Sequence, residues 1–69
     1  NEEKLDTIIK HLELEIAERG EISAVKEMRK HISAYTKNLP NSSEFRSKIN
    51  SLNTKNEVED ELKSFFASL

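Results

Sequence analysis

The chain has 69 residues, enough for one small domain, and its 11 basic and 13 acidic side chains give a formal net charge of −2. It has no cysteine and one glycine, which excludes a disulfide framework, a thiolate nucleophile and a glycine-rich phosphate loop. No apolar run approaches the ~18 residues of a membrane span, and no signal peptide is visible. We expect residues 1–69 to form a single helical domain, monomeric and cytoplasmic. Because the sequence begins with Asn1 rather than Met, we expect the domain to be excised from a longer protein.

The first predicted element is an amphipathic helix over residues 2–19. Acidic residues fill its first turn, and Gly20 is placed to end it in a left-handed conformation. Leu14 falls on the polar side, either as an isolated exposed leucine or as a contact with another domain. The predicted buried side chains recur at helical spacing: Leu5, Ile8, Ile9, Leu12 and Ile16.

A second helix is predicted over residues 22–37. Asn38, which accepts a left-handed conformation, and Pro40, which pushes Leu39 out of helical geometry, are expected to end it. Its predicted buried side chains are Val25, Met28, Ile32, Tyr35 and Leu39.

A short third helix is predicted over residues 42–52, capped by Asn41 or Ser42, and a fourth is predicted to begin at Asn53 or Thr54. Thr54 and Glu57 form a capping-box pattern at the start of the fourth helix. Short connections between amphipathic helices predict an all-α, compact four-helix bundle of antiparallel helices with short loops. The predicted buried side chains of these two helices are Phe45, Ile49, Leu52, Val58, Leu62, Phe65, Phe66 and Leu69.

Positive charge is concentrated in the middle of the chain. Basic and acidic residues number 3 and 7 over residues 1–25, 6 and 2 over residues 26–48, and 2 and 4 over residues 49–69. The formal charge of these segments is therefore −4, +4 and −2, and such asymmetry indicates an anionic partner for the middle segment. We call its six basic residues the basic stripe: Lys26, Arg29, Lys30, Lys37, Arg46 and Lys48.

On a helical wheel the three lysines of the second helix fall at about 40–80°, opposite the buried side at about 220–300°. Glu27, at about 140°, lies outside the stripe, so we expect these charges to lack counter-charges. An ordinary solvated helix face is the alternative interpretation.

The bend between the second and third helices suggests a phosphate site. A helix N-terminus offers unpaired N–H groups, and Lys37, Ser42, Ser43 and Arg46 lie around this one. The negatively charged Glu44 side chain in the same turn would repel an anion, unless it is hydrogen-bonded to the backbone of Asn41 in a capping box.

The aromatic and histidine side chains have structural interpretations that we favour. Tyr35 is expected to pack with its hydroxyl at the surface rather than to stack on bases, and His31 to lie at the core boundary. His11 and His31, twenty positions apart, are a poor start for a metal centre. No catalytic constellation and no metal ligand set is predicted.

Four short motifs resemble one known family. They are Arg29-Lys30-His31, Tyr35-Thr36-Lys37-Asn38-Leu39-Pro40, Ser43-Glu44-Phe45-Arg46 and Ile49-Asn50. In order and spacing they resemble the C-terminal helical domain of bacterial tRNA-dihydrouridine synthases, also known as a nitrogen-regulation-like family. The family typically has Gly where this chain has Asn38.

The resemblance implies a role in tRNA docking. In that family a flavin-binding TIM barrel reduces a uridine of tRNA with FMN and NADPH, using a cysteine as general acid, while the helical domain helps to hold the tRNA. This chain has no cysteine, so we expect no catalysis and no cofactor in it, with FMN in the missing catalytic domain. The expected RNA-binding residues are Lys26, Arg29, Lys30, Lys37, Arg46, Lys48, His31, Tyr35, Ser42 and Ser43.

Two alternatives to tRNA docking stay open. The chain is either a helical interaction module whose basic side binds an acidic protein, or a spacer that packs on the missing catalytic domain through a surface marked by Leu14.

Overall fold

The structure is a computed structural model that describes residues 2–69. It contains four helices and, within this range, no strand. No helix of the described range is long and apolar enough to cross a membrane. The helices are α1 (Glu2–Arg19), α2 (Glu21–Thr36), α3 (Ser42–Ser51) and α4 (Lys55–Ala67). The bounds of the first three lie within one residue of the predicted ones, and α4 begins one or two residues after its predicted start at Asn53 or Thr54. The predicted all-α four-helix bundle is confirmed.

The helices form a closed antiparallel ring. Helix α1 packs on α2 and α4, α3 packs on the same two helices, and α2 also reaches α4 across the bundle. Cross-helix pairs follow the antiparallel register, with His11 beside Tyr35 and Phe45 beside Phe65. The bundle measures 31 × 24 × 18 Å.

The core lies along the axis of the ring and is built from predicted apolar side chains, but not all of them are fully buried. Six that were expected to be buried are half-buried and pack against the core: Leu5, Ile9, Ile16, Tyr35, Leu39 and Leu52. Leu69 was expected to be buried but is 42 % exposed, since it follows the last turn of α4. Ala24 and Thr36 are buried although neither was predicted to be. Thr36 tolerates burial because its hydroxyl donates to the Ile32 carbonyl at 2.9 Å. The buried apolar residues are Ile8, Leu12, Ala24, Val25, Met28, Ile32, Phe45, Ile49, Val58, Leu62, Phe65 and Phe66.

Two residues with positive φ form the tight connections. Gly20 is the single residue between α1 and α2, with φ 83° and ψ 162°, so its φ is positive as predicted but its ψ is extended rather than left-handed helical. The left-handed residue near Pro40 is Asn41, with φ 62° and ψ 21°, and not Asn38 as expected. The chain leaves α2 through a turn closed by the Leu39 N–H and the Thr36 carbonyl, so the reversal into α3 falls at Asn41.

Helix α4 begins with the predicted capping pattern. The Thr54 side chain accepts a hydrogen bond from the Glu57 N–H at 3.3 Å. The Glu57 carboxylate accepts from the Thr54 hydroxyl at 3.0 Å and from the Asn53 N–H at 3.4 Å. The Thr54–Glu57 pair therefore starts α4, with the returning bond one residue earlier than the usual box.

Replacing Gly20 should weaken the fold through the backbone alone. A Cβ at this position would meet nothing within 4 Å, yet its φ and ψ lie in a region open essentially to glycine. We expect Gly20→Ala to lower the free energy of unfolding by about 1–3 kcal/mol in urea titrations. Asn41→Gly, at a left-handed position, is the matched control and should change it by less than about 1 kcal/mol. Equal effects would contradict this account of the α1–α2 connection.

Candidate nucleic-acid interface

The outer side of α2 carries the exposed part of the basic stripe. Lys26, Lys30 and Lys37 are all exposed there, on the side of the helix that does not enter the core. Neither Lys26 nor Lys37 has its ammonium group within 4 Å of a carboxylate of residues 2–69. These two lysines are therefore available to an anionic ligand.

Arg29 was expected to face an RNA ligand, but its guanidinium is used inside the domain. Its Nη2 donates to the Leu52 carbonyl at 2.9 Å and to the Asn53 side-chain oxygen at 3.3 Å. Its Nε is buried without a hydrogen-bond partner in the described part of the chain. The last carbonyls of α3 carry the negative end of the helix dipole, which explains why a cation from α2 settles there.

The expected lack of counter-charge is wrong for Lys30 and Lys48. The Lys30 ammonium lies 2.7 Å from the Glu27 carboxylate, three residues earlier on α2, and this hydrogen bond lowers the pKa of Glu27. Lys48 lies 3.6 Å from the carboxylate of Glu61 on α4. On the helical wheel Glu27 and Lys30 lie at different angles, which suggested that they would not meet. Long side chains three residues apart on a helix nevertheless reach one another readily. Glu61 could be placed only once α3 and α4 were packed together.

The bend before α3 differs from the predicted phosphate site. Ser42 is buried, and its hydroxyl donates back to the Lys37 carbonyl at 3.4 Å. Arg46 reaches back to the Ser43 hydroxyl at 3.3 Å, while Glu44 stands exposed in the same turn. Asn41 occupies the capping position without a side-chain cap bond. Ser42 thus turns away from solvent, and the phosphate site stays a prediction that rests on Lys37, Ser43 and Arg46.

The ring of His11 on α1 meets two rings of α2, those of His31 and Tyr35. The ring centroids of His11 and His31 lie 4.7 Å apart, and His11 meets Tyr35 edge-on at 6.2 Å. The Tyr35 hydroxyl, expected at the surface, is 3.4 Å from Nδ1 of His11. His11 and His31 lie at similar distances before and after Gly20. If α1 and α2 are antiparallel and joined at Gly20, they lie opposite one another, so the sequence did contain a signal for this contact.

Carboxylates flank the rings. Glu15 lies 3.7 Å from Nε2 of His11, and Glu27 lies 3.9 Å from Nε2 of His31. Within residues 2–69, no group of three or more histidine, cysteine, aspartate or glutamate side chains is arranged to hold a metal ion.

Within the helices, two large apolar side chains are strongly exposed. Leu14 is 68 % exposed on α1 and Ile22 is 69 % exposed at the start of α2. Leu14 is therefore exposed, as expected for its polar side of the helix, and its contact with another domain stays a prediction.

Comparison with known proteins identifies the relatives of this chain. The family model "Dihydrouridine synthase (Dus)" matches residues 1–69. Three similar proteins, each named "Probable tRNA-dihydrouridine synthase", come from Rickettsia bellii (35 % identical over 68 residues), Rickettsia conorii (37 % over 67) and Rickettsia typhi (39 % over 67). These matches cover 97–99 % of this chain but 20–21 % of the relatives, so the chain spans about a fifth of their length. No solved structure matches it.

Removing the Arg29 guanidinium should destabilise the domain. Arg29→Met keeps the apolar stem but loses both hydrogen bonds to the α3–α4 turn, at an expected cost of about 1.5–3 kcal/mol in the free energy of unfolding. Lys26→Met, on the outer side of the same helix, is the control and should stay within about 0.5 kcal/mol. Urea unfolding followed by circular dichroism measures both. If the two variants unfold at the same urea concentration, Arg29 does not hold the turn.

Proposed function

The chain belongs to the dihydrouridine synthase family, and we propose that it is the tRNA-docking helical domain of a tRNA-dihydrouridine synthase. The chain spans about a fifth of the length of relatives named for this activity, which supports placing the reaction in a part of the protein outside it. The one glycine of the chain, Gly20, lies in a helix–helix turn, so the described residues offer FMN no glycine-rich phosphate loop. We therefore assign FMN, NADPH and the chemical step to a catalytic domain at the N-terminal side of this chain, in the cytoplasm.

The row of lysines along the outer side of α2 carries the proposal. Lys26, Lys30 and Lys37 span eleven residues, about 16 Å at ~1.5 Å per residue, on a side free of core packing. Such a row suits the phosphates and ribose hydroxyls of a folded RNA, which proteins recognise mainly by shape. Arg46 extends the row past the bend toward α3.

The ion pairs along the row are compatible with RNA binding. Exposed lysine–carboxylate pairs contribute about 0–1 kcal/mol, so an RNA phosphate can replace Glu27 as the partner of Lys30 at little cost. The net charge of −2 limits the affinity of the isolated domain. Tight binding would arise when the catalytic domain engages the same tRNA, because the second contact is then intramolecular.

RNA binding through this row predicts a specific salt dependence. Four contacts, from Lys26, Lys30, Lys37 and Arg46, at ~0.7–0.9 counterions each give a slope of log affinity against log salt of about −3. Lys26→Ala and Lys37→Ala should each reduce the slope by ~0.7–0.9, whereas Lys63→Ala on α4 should leave it unchanged. Titration of the chain with an unmodified tRNA transcript at several salt concentrations measures these slopes. A flat salt dependence would exclude the row as a tRNA-binding surface.

Freeing Lys30 from Glu27 should strengthen binding. Glu27→Gln removes the carboxylate 2.7 Å from the Lys30 ammonium, and we expect tRNA affinity at low salt to rise about 2- to 5-fold. Glu18→Gln, which makes the same change in net charge at an exposed site on α1, is the matched control. Equal gains in the two variants would indicate a net-charge effect and no role for Lys30.

A competition experiment separates tRNA docking from binding of an acidic protein. For a docking domain, unlabelled tRNA should displace labelled tRNA, while a polyglutamate peptide at equal charge should not. Displacement by the peptide with equal efficiency would favour the interaction-module alternative.

A further inference from the structure

A shallow depression opens on the surface of α2 beside the row of lysines. It has a volume of about 200 Å³ and is lined by His31, Ala34 and Tyr35. Ala34 is exposed, and the rings of His31 and Tyr35 line the depression with it. The depression is thus walled by flat π-systems and is open to solvent.

The rings are held in place from α1, across the helix seam. His11 packs against His31 at 4.7 Å and meets Tyr35 edge-on, with its Nδ1 3.4 Å from the tyrosine hydroxyl. The side chains of His11 and His31 remain 29 % and 37 % exposed. We call these three side chains the aromatic patch. It has an ordered inner side and a solvent-facing outer side.

Cationic side chains lie on both sides of the depression along α2. Ala34 is four residues after Lys30 and three before Lys37, and residues at these spacings are neighbours on a helix surface. Glu27 is the opposing charge, 2.7 Å from Lys30 and 3.9 Å from His31. The depression therefore combines rings on which a planar base can stack with a lysine about one helical turn away in each direction along the chain.

We propose that the depression at Ala34 stacks an unpaired nucleobase of RNA on the aromatic patch, while Lys30 and Lys37 hold the flanking phosphates. This inference rests on the proposed function and adds to it a preference for unpaired over paired nucleotides. Aromatic and imidazole rings stack on any base through the π-face, and a base inside a duplex cannot present that face. The site selects exposed loops or ends of a folded RNA without reading their sequence.

The binding test compares one RNA strand in two states. A short single-stranded RNA and the same strand annealed to its complement offer the chain the same phosphates, but only the first offers free bases. Tyr35 is the only tyrosine, so its ring signals in an aromatic ¹H–¹³C NMR spectrum are unambiguous. We expect upfield shifts of the Tyr35 and His31 ring protons with the single strand, smaller shifts with the duplex, and none with inorganic polyphosphate.

Substitution at Ala34 tests the depression without disturbing the core. Ala34→Leu should fill it, with the three rings and the two lysines intact, and should weaken single-strand binding about 5- to 10-fold, within the range for loss of one stacked base. Ala17→Leu, at an exposed alanine on α1, is the matched control. Tyr35→Leu should reproduce the loss and Tyr35→Phe should not, because the phenylalanine keeps the ring.

The outcomes separate this inference from the proposed function. Equal affinity for single strand and duplex, with Tyr35 unshifted and Ala34→Leu unchanged, would overturn base stacking and leave backbone docking in place. No binding of tRNA or of either RNA at low salt would overturn both. If Ala34→Leu and Ala17→Leu weaken RNA binding equally, the effect is not local to the depression, and this outcome would also count against the site.

Discussion

The bundle depends on the way α2 holds the turn between α3 and α4. The Glu21 carboxylate, at the start of α2, accepts the backbone N–H of Lys55 at 2.8 Å, and the Arg29 guanidinium donates to the Leu52 carbonyl at 2.9 Å. An acid thus meets the positive end of α4 and a cation meets the negative end of α3. A chain of 69 residues has a small core, so these two charged contacts matter to the packing of one helix pair on the other.

The surface of α2 has three sides with different roles. Its inner side places Val25, Met28 and Ile32 in the core, and the side next to α1 carries His31 and Tyr35. The outer side, with its lysines, is exposed. Arg29, expected on that outer side, is committed to the α3 terminus, which reduces the charge available to a ligand but fixes the helix that presents it.

The helices and most of the core could be predicted because both depend on local spacing. Side chains at i, i+3 and i+4 share one side of a helix whatever surrounds it, and the bounds of the first three helices were right to within one residue. The errors lie where the chain changes direction. Either Asn38 or Asn41 could adopt the left-handed conformation, and only the path from Pro40 into α3 selects Asn41. Leu69 matches the buried period of α4, but the helix ends at Ala67 and leaves it exposed.

By itself, the sequence determined the helices, their buried sides and the concentration of positive charge in the middle of the chain. Only the tertiary structure decided that Arg29 and Lys48 are engaged, because their partners, Leu52 and Glu61, lie outside their own helices. It also brought His11, twenty residues away in sequence, to His31. Contacts of this kind depend on the register between packed helices, which follows from the fit of all the core side chains together and not from any local spacing.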